Sequence, residues 1–208
     1  MSVCPILMTG SSKRRPRSDK RTRIVNAAIE VFAAKGFHSA RISDIARLAG
    51  VADGTIYLYF RNKEDLLLSI FEEKMELLIV ELRGALEGVS DPIERLGVCA
   101  RQHFIQLEKY PALAQVLQVE LRQSHKFLHE YRPKKLWEYL AIFEDIIRDG
   151  QKRGSFRTGV DPFLAQWAFF GALDELSIQW VLSKRKRFTL QQAADQILDV
   201  FLCGMANP

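Results

Sequence analysis

Apolar residues recur with the period of an α-helix along almost the whole chain, and no stretch alternates with the period of a strand. The first pattern covers about 18–35, where Ile24, Ala28, Val31 and Phe32 share one face. Ser18 is placed to cap its start. Gly36 suits the left-handed position after the last turn, with Phe37 set to fold back on the helix. Two shorter patterns follow: a helix over 42–49, a turn over 50–53 and a second helix over 54–60. Ile42, Ile45, Ala46, Ala49, Val51, Ile56 and Phe60 form their apolar set. Helices this short have no stability of their own, so the three are expected to pack as one unit.

Asn62 and Asp65 form a capping-box-like pair that opens a longer helix over 62–82, with Leu67, Phe71, Met75, Leu78 and Leu82 on one stripe. This helix is long enough to leave the small unit and enter a larger one. Gly84, Gly88 and Ser90-Asp91-Pro92 end it. Five more helices are expected over 92–109, 111–121, 126–153, 162–182 and 190–205, the last opened by the T-x-x-Q capping box Thr189-Leu-Gln-Gln192. The fold class that follows is all-α. It divides into an arm at 1–17, a three-helix helix-turn-helix unit at 18–65 and a larger helical domain at 66–208.

The helix over 162–182 is apolar nearly all round. Phe163, Trp167, Phe170, Leu173, Ile178 and Val181 make one stripe, and Ala168, Phe169, Ala172, Leu176 and Trp180 another. Such a helix must be buried on two sides. One side is expected to face the core and the other, the stripe of Phe169 and Leu176, a second copy, giving a homodimer through residues 162–182 and 190–205.

Charge adds a direction. The chain carries +5 overall, but residues 1–23 hold seven basic residues against Asp19, a net of +6, which leaves the rest at −1. A basic arm on a near-neutral body points to a polyanion at the N-terminal end. Cys4, Cys99 and Cys203 are far apart and odd in number, which argues against a disulfide framework or a zinc ribbon. No apolar run approaches a membrane span, and the mildly apolar first ten residues lack a basic segment before them, so a cytoplasmic protein is expected. His125 and His129 stand four apart but without the Glu of a zinc-protease motif. There is no nucleophile elbow and no dinucleotide fingerprint, so neither an enzyme nor a resident cofactor is expected.

The chemistry concentrates in 41–63. In a helix-turn-helix the second helix enters the major groove while flanking groups hold phosphates. Gly54 lets backbone approach DNA closely, Thr55 offers a hydroxyl and a methyl to base edges, and Tyr57 and Tyr59 can reach a phosphate or a thymine methyl. Lys63 lies in the first turn of the next helix, where an anion is already favoured, and Arg41 and Ser43 sit at the start of the preceding one. A palindromic double-stranded operator is the partner expected of a dimer.

Gly36-Phe37, Ile45-Ala46, Ala49-Gly50-Val51, Gly54-Thr55-Ile56-Tyr57-Leu58-Tyr59-Phe60 and Lys63-Glu64-Asp65-Leu66-Leu67 together resemble the signature of the TetR family of repressors. Arg41 stands where that family usually has Thr or Ser, and Ala52 where it usually has Ser. Val51 to Phe60, Glu120-Leu-Arg-Gln-Ser124 and Gly171-Ala-Leu-Asp-Glu175 resemble the FadR branch, whose members bind long-chain acyl-CoA and control fatty-acid degradation. The resemblance implies a ligand-responsive repressor released from DNA by a long-chain acyl-CoA; the alternative effector is another hydrophobic or aromatic compound, such as a drug. Phe104, Leu107, Leu117, Phe143, Phe170 and Trp180 are candidates to line an alkyl tunnel. Arg122, Gln123, Lys152 and Arg153 are candidates for the CoA head, Arg122 first because a guanidinium grips phosphate as a fork.

Overall fold

The computed structural model describes residues 17–124, 127 and 130–205, and the described residues are helical with no β-strand among them. Helix α1 (Arg17–Lys35), α2 (Ile42–Ala49) and α3 (Asp53–Tyr57) form the small unit. Its interior is the expected one: Ile24, Ala28, Phe32, Ile45, Ala46, Ala49, Ile56 and Phe60 are buried together, with Ile42 and Val51 half-buried against them. Gly36 adopts φ 78°, where a side chain would be strained, and Phe37 turns back edge-on to Phe32 at 5.5 Å. Gly50, at φ 65°, ends α2, and the Arg23 guanidinium donates to the Ala49 carbonyl beside it at 3.0 Å.

Several boundaries differ from those the sequence predicts. Helix α1 begins at Arg17, so Ser18 lies inside its first turn instead of capping it. The recognition helix ends at Tyr57, not at residue 60. Leu58 N–H and Tyr59 N–H each reach back only three residues, to Thr55 and Ile56, so the chain tightens into a turn that brings Phe60 under the unit. Helix α4 (Lys63–Leu86) continues past Gly84 and is about 36 Å long at 1.5 Å per residue. Asn62 caps it, accepting the Asp65 N–H at 2.8 Å.

The larger unit contains α5 (Pro92–Lys109), α6 (Pro111–Gln115), α7 (Lys134–Lys152), α8 (Pro162–Leu182) and α9 (Leu190–Met205). The expected helix over 126–153 is not continuous: residue 127 is helical, residues 130–133 are not, and a regular helix begins at Lys134, after Pro133, whose ring disfavours helix in the residue before it. The expected helix over 111–121 is regular only to Gln115. It widens to a π-helix over Val116–Glu120 and tightens to a 3₁₀ turn over Leu121–Gln123. The capping box at Thr189 and Gln192 is present in both directions, at 3.1 and 2.9 Å. Phe169 is fully buried, packed edge-on between Phe143 and Phe201. It therefore belongs to the core and not to the outward stripe on which the sequence reading placed it. The outward face of α8 runs through Leu164, Ala168, Gly171, Glu175 and Leu182, with Leu164 65% exposed. Among the described residues no helix is long and apolar enough to cross a membrane.

Candidate nucleic-acid interface and effector cavity

The reading face is built by α2, the turn after it and α3. Gly54 is exposed with open space where a side chain would stand. Tyr57 is 56% exposed, Thr55 is half-buried at the edge of the unit, and Tyr59 is half-buried with its ring tilted on Phe60. Arg41 stands at the N-cap of α2 with an exposed side chain, and Ser43 is exposed in the first turn. The Arg41 backbone N–H donates to Asp44 at 3.4 Å, the half of a capping box that the third helical residue supplies; the Arg41 guanidinium cannot accept the Asp44 N–H as a Thr or Ser hydroxyl would. The Lys35 ammonium bonded to Asp44 holds its carboxyl below the usual range. Leu58, which the sequence reading passed over, is 73% exposed on the same face. An apolar side chain left in water beside Tyr57 suits a thymine methyl. The signal for it was present, since it breaks the apolar pattern of its helix.

Lys63 requires a correction. Its ammonium does not face outward for a phosphate. It donates to the carbonyls of His38 and Ala40, both at 3.0 Å, and lies 4.7 Å above the Phe37 ring. Those two carbonyls lie outside any helix and need a donor, and Lys63 supplies it. Burial lowers its pKa. Two residues counted in the basic arm are also engaged within the fold: Arg21 pairs with Glu73 and lies over Phe60, and Arg23 serves α2. Residues 1–16 of the arm lie outside the described residues, as do His125 and His129.

The larger unit encloses a cavity of about 390 Å³ between α4, α5, α6, the segment 116–123, α7 and α8. Leu107, Leu117, Arg122 and Phe170 line it, as the sequence reading expected. The other candidates do not. Phe104 and Phe143 are buried in the surrounding core, where their volume is used for packing. Trp180 lies near the end of α8 under the Lys186 ammonium, two turns beyond Asp174. Lys152 and Arg153 close the far end of α7, about 24 Å along the helix from Leu136 on the cavity wall. There Arg153 pairs with Asp149 and donates to the Ser90 carbonyl. The Gln123 side chain lies outside the described atoms.

Polar groups the sequence reading missed stand on the cavity wall. Arg122 forms an ion pair with Asp174 from α8. The two stretches that carried the FadR-like resemblance, around residues 120–124 and 171–175, thus meet in space. Gln118 Oε1 is buried with no partner among the described residues. His103, half-buried on the cavity wall, and Tyr139, buried, are bonded to each other at 3.0 Å. Burial pushes the imidazole down to about 4, partly offset by Asp174, and raises the phenol. Cys99 lies fully buried in the same core, its thiol pushed up to about 12 by burial, as an inert packing residue.

The cavity wall also reaches the DNA-reading unit. The segment 116–123 turns Leu117, Gln118, Leu121 and Arg122 toward the cavity and Glu120 the other way. The buried Glu120 carboxylate accepts the Phe37 backbone N–H at 2.7 Å, at the turn after α1. Ser124 Oγ donates to Glu64 in the first turn of α4 at 3.4 Å.

A helix-turn-helix whose long fourth helix runs on into a helical cavity domain defines the class, and the sequence comparisons agree. Residues 24–70 match the bacterial regulatory proteins of the tetR family, and residues 71–204 match the C-terminal region of YsiA-like proteins. The chain belongs to the TetR family of bacterial regulators. It is 38% identical over 195 residues to the fatty acid metabolism regulator protein of Bacillus subtilis, covering 94% of this chain and 98% of that one. The solved structure of the fatty acid degradation regulator FadR from Bacillus halodurans superimposes with a TM-score of 0.83 at 38% identity, over 92% of this chain and 98% of that one. FadR from Bacillus subtilis in complex with stearoyl-CoA superimposes with a TM-score of 0.82, also at 38% identity, over 88% and 98%.

Proposed function

We propose that this protein is a cytoplasmic, homodimeric repressor of fatty-acid degradation genes, with no catalytic activity, that leaves its operator when a long-chain acyl-CoA enters the cavity. The observation that carries the reading is the cavity itself: a largely apolar space with one arginine at its rim, in a chain similar to a regulator solved with stearoyl-CoA. Residues 18–65 act as the reader and 66–208 as the sensor. Each methylene buried in the cavity contributes about 0.8 kcal/mol, which favours long chains. Arg122 is half-exposed, and a CoA phosphate would compete with Asp174 for its guanidinium. Gln118 Oε1, buried and unpartnered, suits an amide N–H of the pantetheine arm.

A second copy is the occupant that best fits the outward face of α8 and α9. Leu164 and Leu182 of α8 and Val200 of α9, the last 67% exposed, would be covered in a four-helix bundle with the same helices of the partner. Two reading faces related by a two-fold axis would engage half-sites about 34–36 Å apart. Thr55, Tyr57 and Leu58 are assigned to bases, and Arg41, Ser43, Gly54 and Tyr59 to close backbone approach and phosphates.

Release requires that the effector prefer one arrangement of reader and sensor over another. The segment 116–123 is the connection, since it bears cavity side chains on one side and Glu120 on the other. Helix α4 is the rigid lever that moves with it. The test is operator release titrated with acyl-CoAs of rising chain length, free fatty acid and CoA alone. Release should need both chain and head, and Arg122→Ala should weaken it without changing unliganded operator affinity. Equal action by free fatty acid or by an unrelated aromatic compound would remove the acyl-CoA assignment and leave the repressor.

A further inference from the structure

Where α5, α7 and α8 meet, His103 and Tyr139 line the cavity and Ser177 stands behind them. Ser177 Oγ donates to the Leu173 carbonyl at 2.7 Å, one turn back in α8. A hydroxyl has a single proton, so this one is spent. Toward His103 Nε2, 3.1 Å away, Ser177 can only accept. Nε2 therefore carries the imidazole proton, and in a neutral ring Nδ1 is bare. The Tyr139 hydroxyl, 3.0 Å from Nδ1, must then donate to it. The order runs from Tyr139 to His103 to Ser177 to the Leu173 carbonyl, each proton used once. The phenolic oxygen of this cavity-lining residue has a lone pair and no proton to give.

We propose that Tyr139, oriented by His103 and Ser177, is a specificity-determining residue that admits a methylene or a hydroxyl-bearing carbon of the acyl chain and refuses an oxo or carboxyl oxygen at the same place. A hydroxyl there donates to the phenolic oxygen. A carbonyl oxygen would face a second acceptor, with its own hydrogen bond to water lost and none gained. An apolar carbon needs no partner and is tolerated. The effector class selected is thus saturated and hydroxylated long-chain thioesters over oxo and dicarboxylic ones. This rests on the acyl-CoA reading above and sharpens it.

The experiment uses the full-length protein on its operator and acyl-CoAs of one long chain length, carrying a hydroxyl, an oxo group or neither at successive carbons. At the carbon that reaches Tyr139, the hydroxylated chain should release the operator at concentrations at least about tenfold lower than the oxo chain. Ser177→Ala, behind the wall, removes the acceptor from Nε2. A bare buried nitrogen then costs less than a stranded N–H, so the tautomer turns over, Nδ1–H donates to Tyr139 and the phenol proton is freed for the ligand. The oxo penalty, measured against the unsubstituted chain in the same variant, should shrink or invert. Nitrogen-15 NMR of His103 reads the arrangement without ligand: Nδ1 unprotonated in the native protein, protonated in Ser177→Ala. Equal potency of hydroxy and oxo chains at every carbon, with the unsubstituted chain active, overturns the proposal alone, as does a native His103 protonated at Nδ1. An inactive unsubstituted thioester overturns the acyl-CoA reading and the proposal with it.

Discussion

In the small unit the apolar side chains close on one another and leave the polar surface to its DNA-facing edge. In the larger unit similar helices surround a space of about 390 Å³ with a largely apolar wall that carries a few polar groups. The difference is one of purpose: a reader must present side chains at fixed spacing, whereas a sensor must have more than one arrangement of similar energy for a ligand to choose between. The irregular segment 116–123, neither α-helical nor extended, lies where the two meet.

The largest effect expected to separate the two units is ionic. If six to ten phosphates are neutralised by the dimer, operator affinity should fall about 10³–10⁵-fold between 50 and 200 mM salt, while acyl chain binding in the cavity should hardly respond. Filter-binding and ligand-binding isotherms over the same salt series give the two slopes, and a flat operator response would contradict the assignment of the reading face.

Packing comes next. Phe60 is fully buried under the reader, and Phe60→Ala should cost about 3–5 kcal/mol in denaturant unfolding. Phe170 already borders empty space, so Phe170→Ala should cost less and enlarge the cavity. Equal losses would mean that the cavity is filled in the unliganded protein.

The sensor should also carry an acid sensitivity at a higher pH than the one Asp44 gives the reader. His103 is held at about 4, below its value in an unfolded chain, so the unfolded state binds the extra proton between those values. Stability present above about pH 6.5 is therefore lost as pH falls toward 4, by roughly a hundredfold in the folding constant, and then levels off. His103→Gln should flatten that part of the pH–stability curve; an unchanged curve would show that the ring is solvated.

Within the reader, Thr55→Val or Tyr57→Phe should each cost on the order of 1–3 kcal/mol on operator DNA and less on random DNA if they touch bases. Equal losses on both would move them to the phosphate class. The smallest effect tests the joint between the units. Glu120→Gln keeps an acceptor for Phe37 N–H but removes the charge that strengthens the bond. Operator affinity and effector affinity measured separately should change little. The ratio of effector affinities with and without operator should move severalfold toward one, because coupling is reciprocal. An unmoved ratio would take Glu120 out of the connection.

The reader was almost wholly legible in advance because its determinants are local. The positive-φ glycines at 36 and 50, the Asn62 cap and the apolar face of α1 each act within a few residues of chain. The side-chain placement it misses is decided by distant chain. Lys63 was assigned outward from its place in a helix, but carbonyls 23 and 25 residues earlier in the chain claim its ammonium. The sensor was legible as helices and not as a site. Large apolar side chains at Phe104, Phe143 and Trp180 look the same in sequence as those at Leu107, Leu117 and Phe170, and only packing decides which ones border the cavity.

The sequence by itself therefore determined the all-helical class, most helix starts and stops and the helix-turn-helix, because hydrophobic period, caps and turn residues are encoded over a turn or two of chain. It also contained both halves of the Arg122–Asp174 pair, in the two stretches that suggested the relationship. Tertiary structure alone decided that those halves meet, that Glu120 reaches Phe37 across 83 residues, that Phe169 turns inward while Leu164 turns out, and that His103 is locked between Tyr139 and Ser177. These are contacts between distant segments. A side chain's local pattern specifies its face of the helix, but not what the other helices bring to that face.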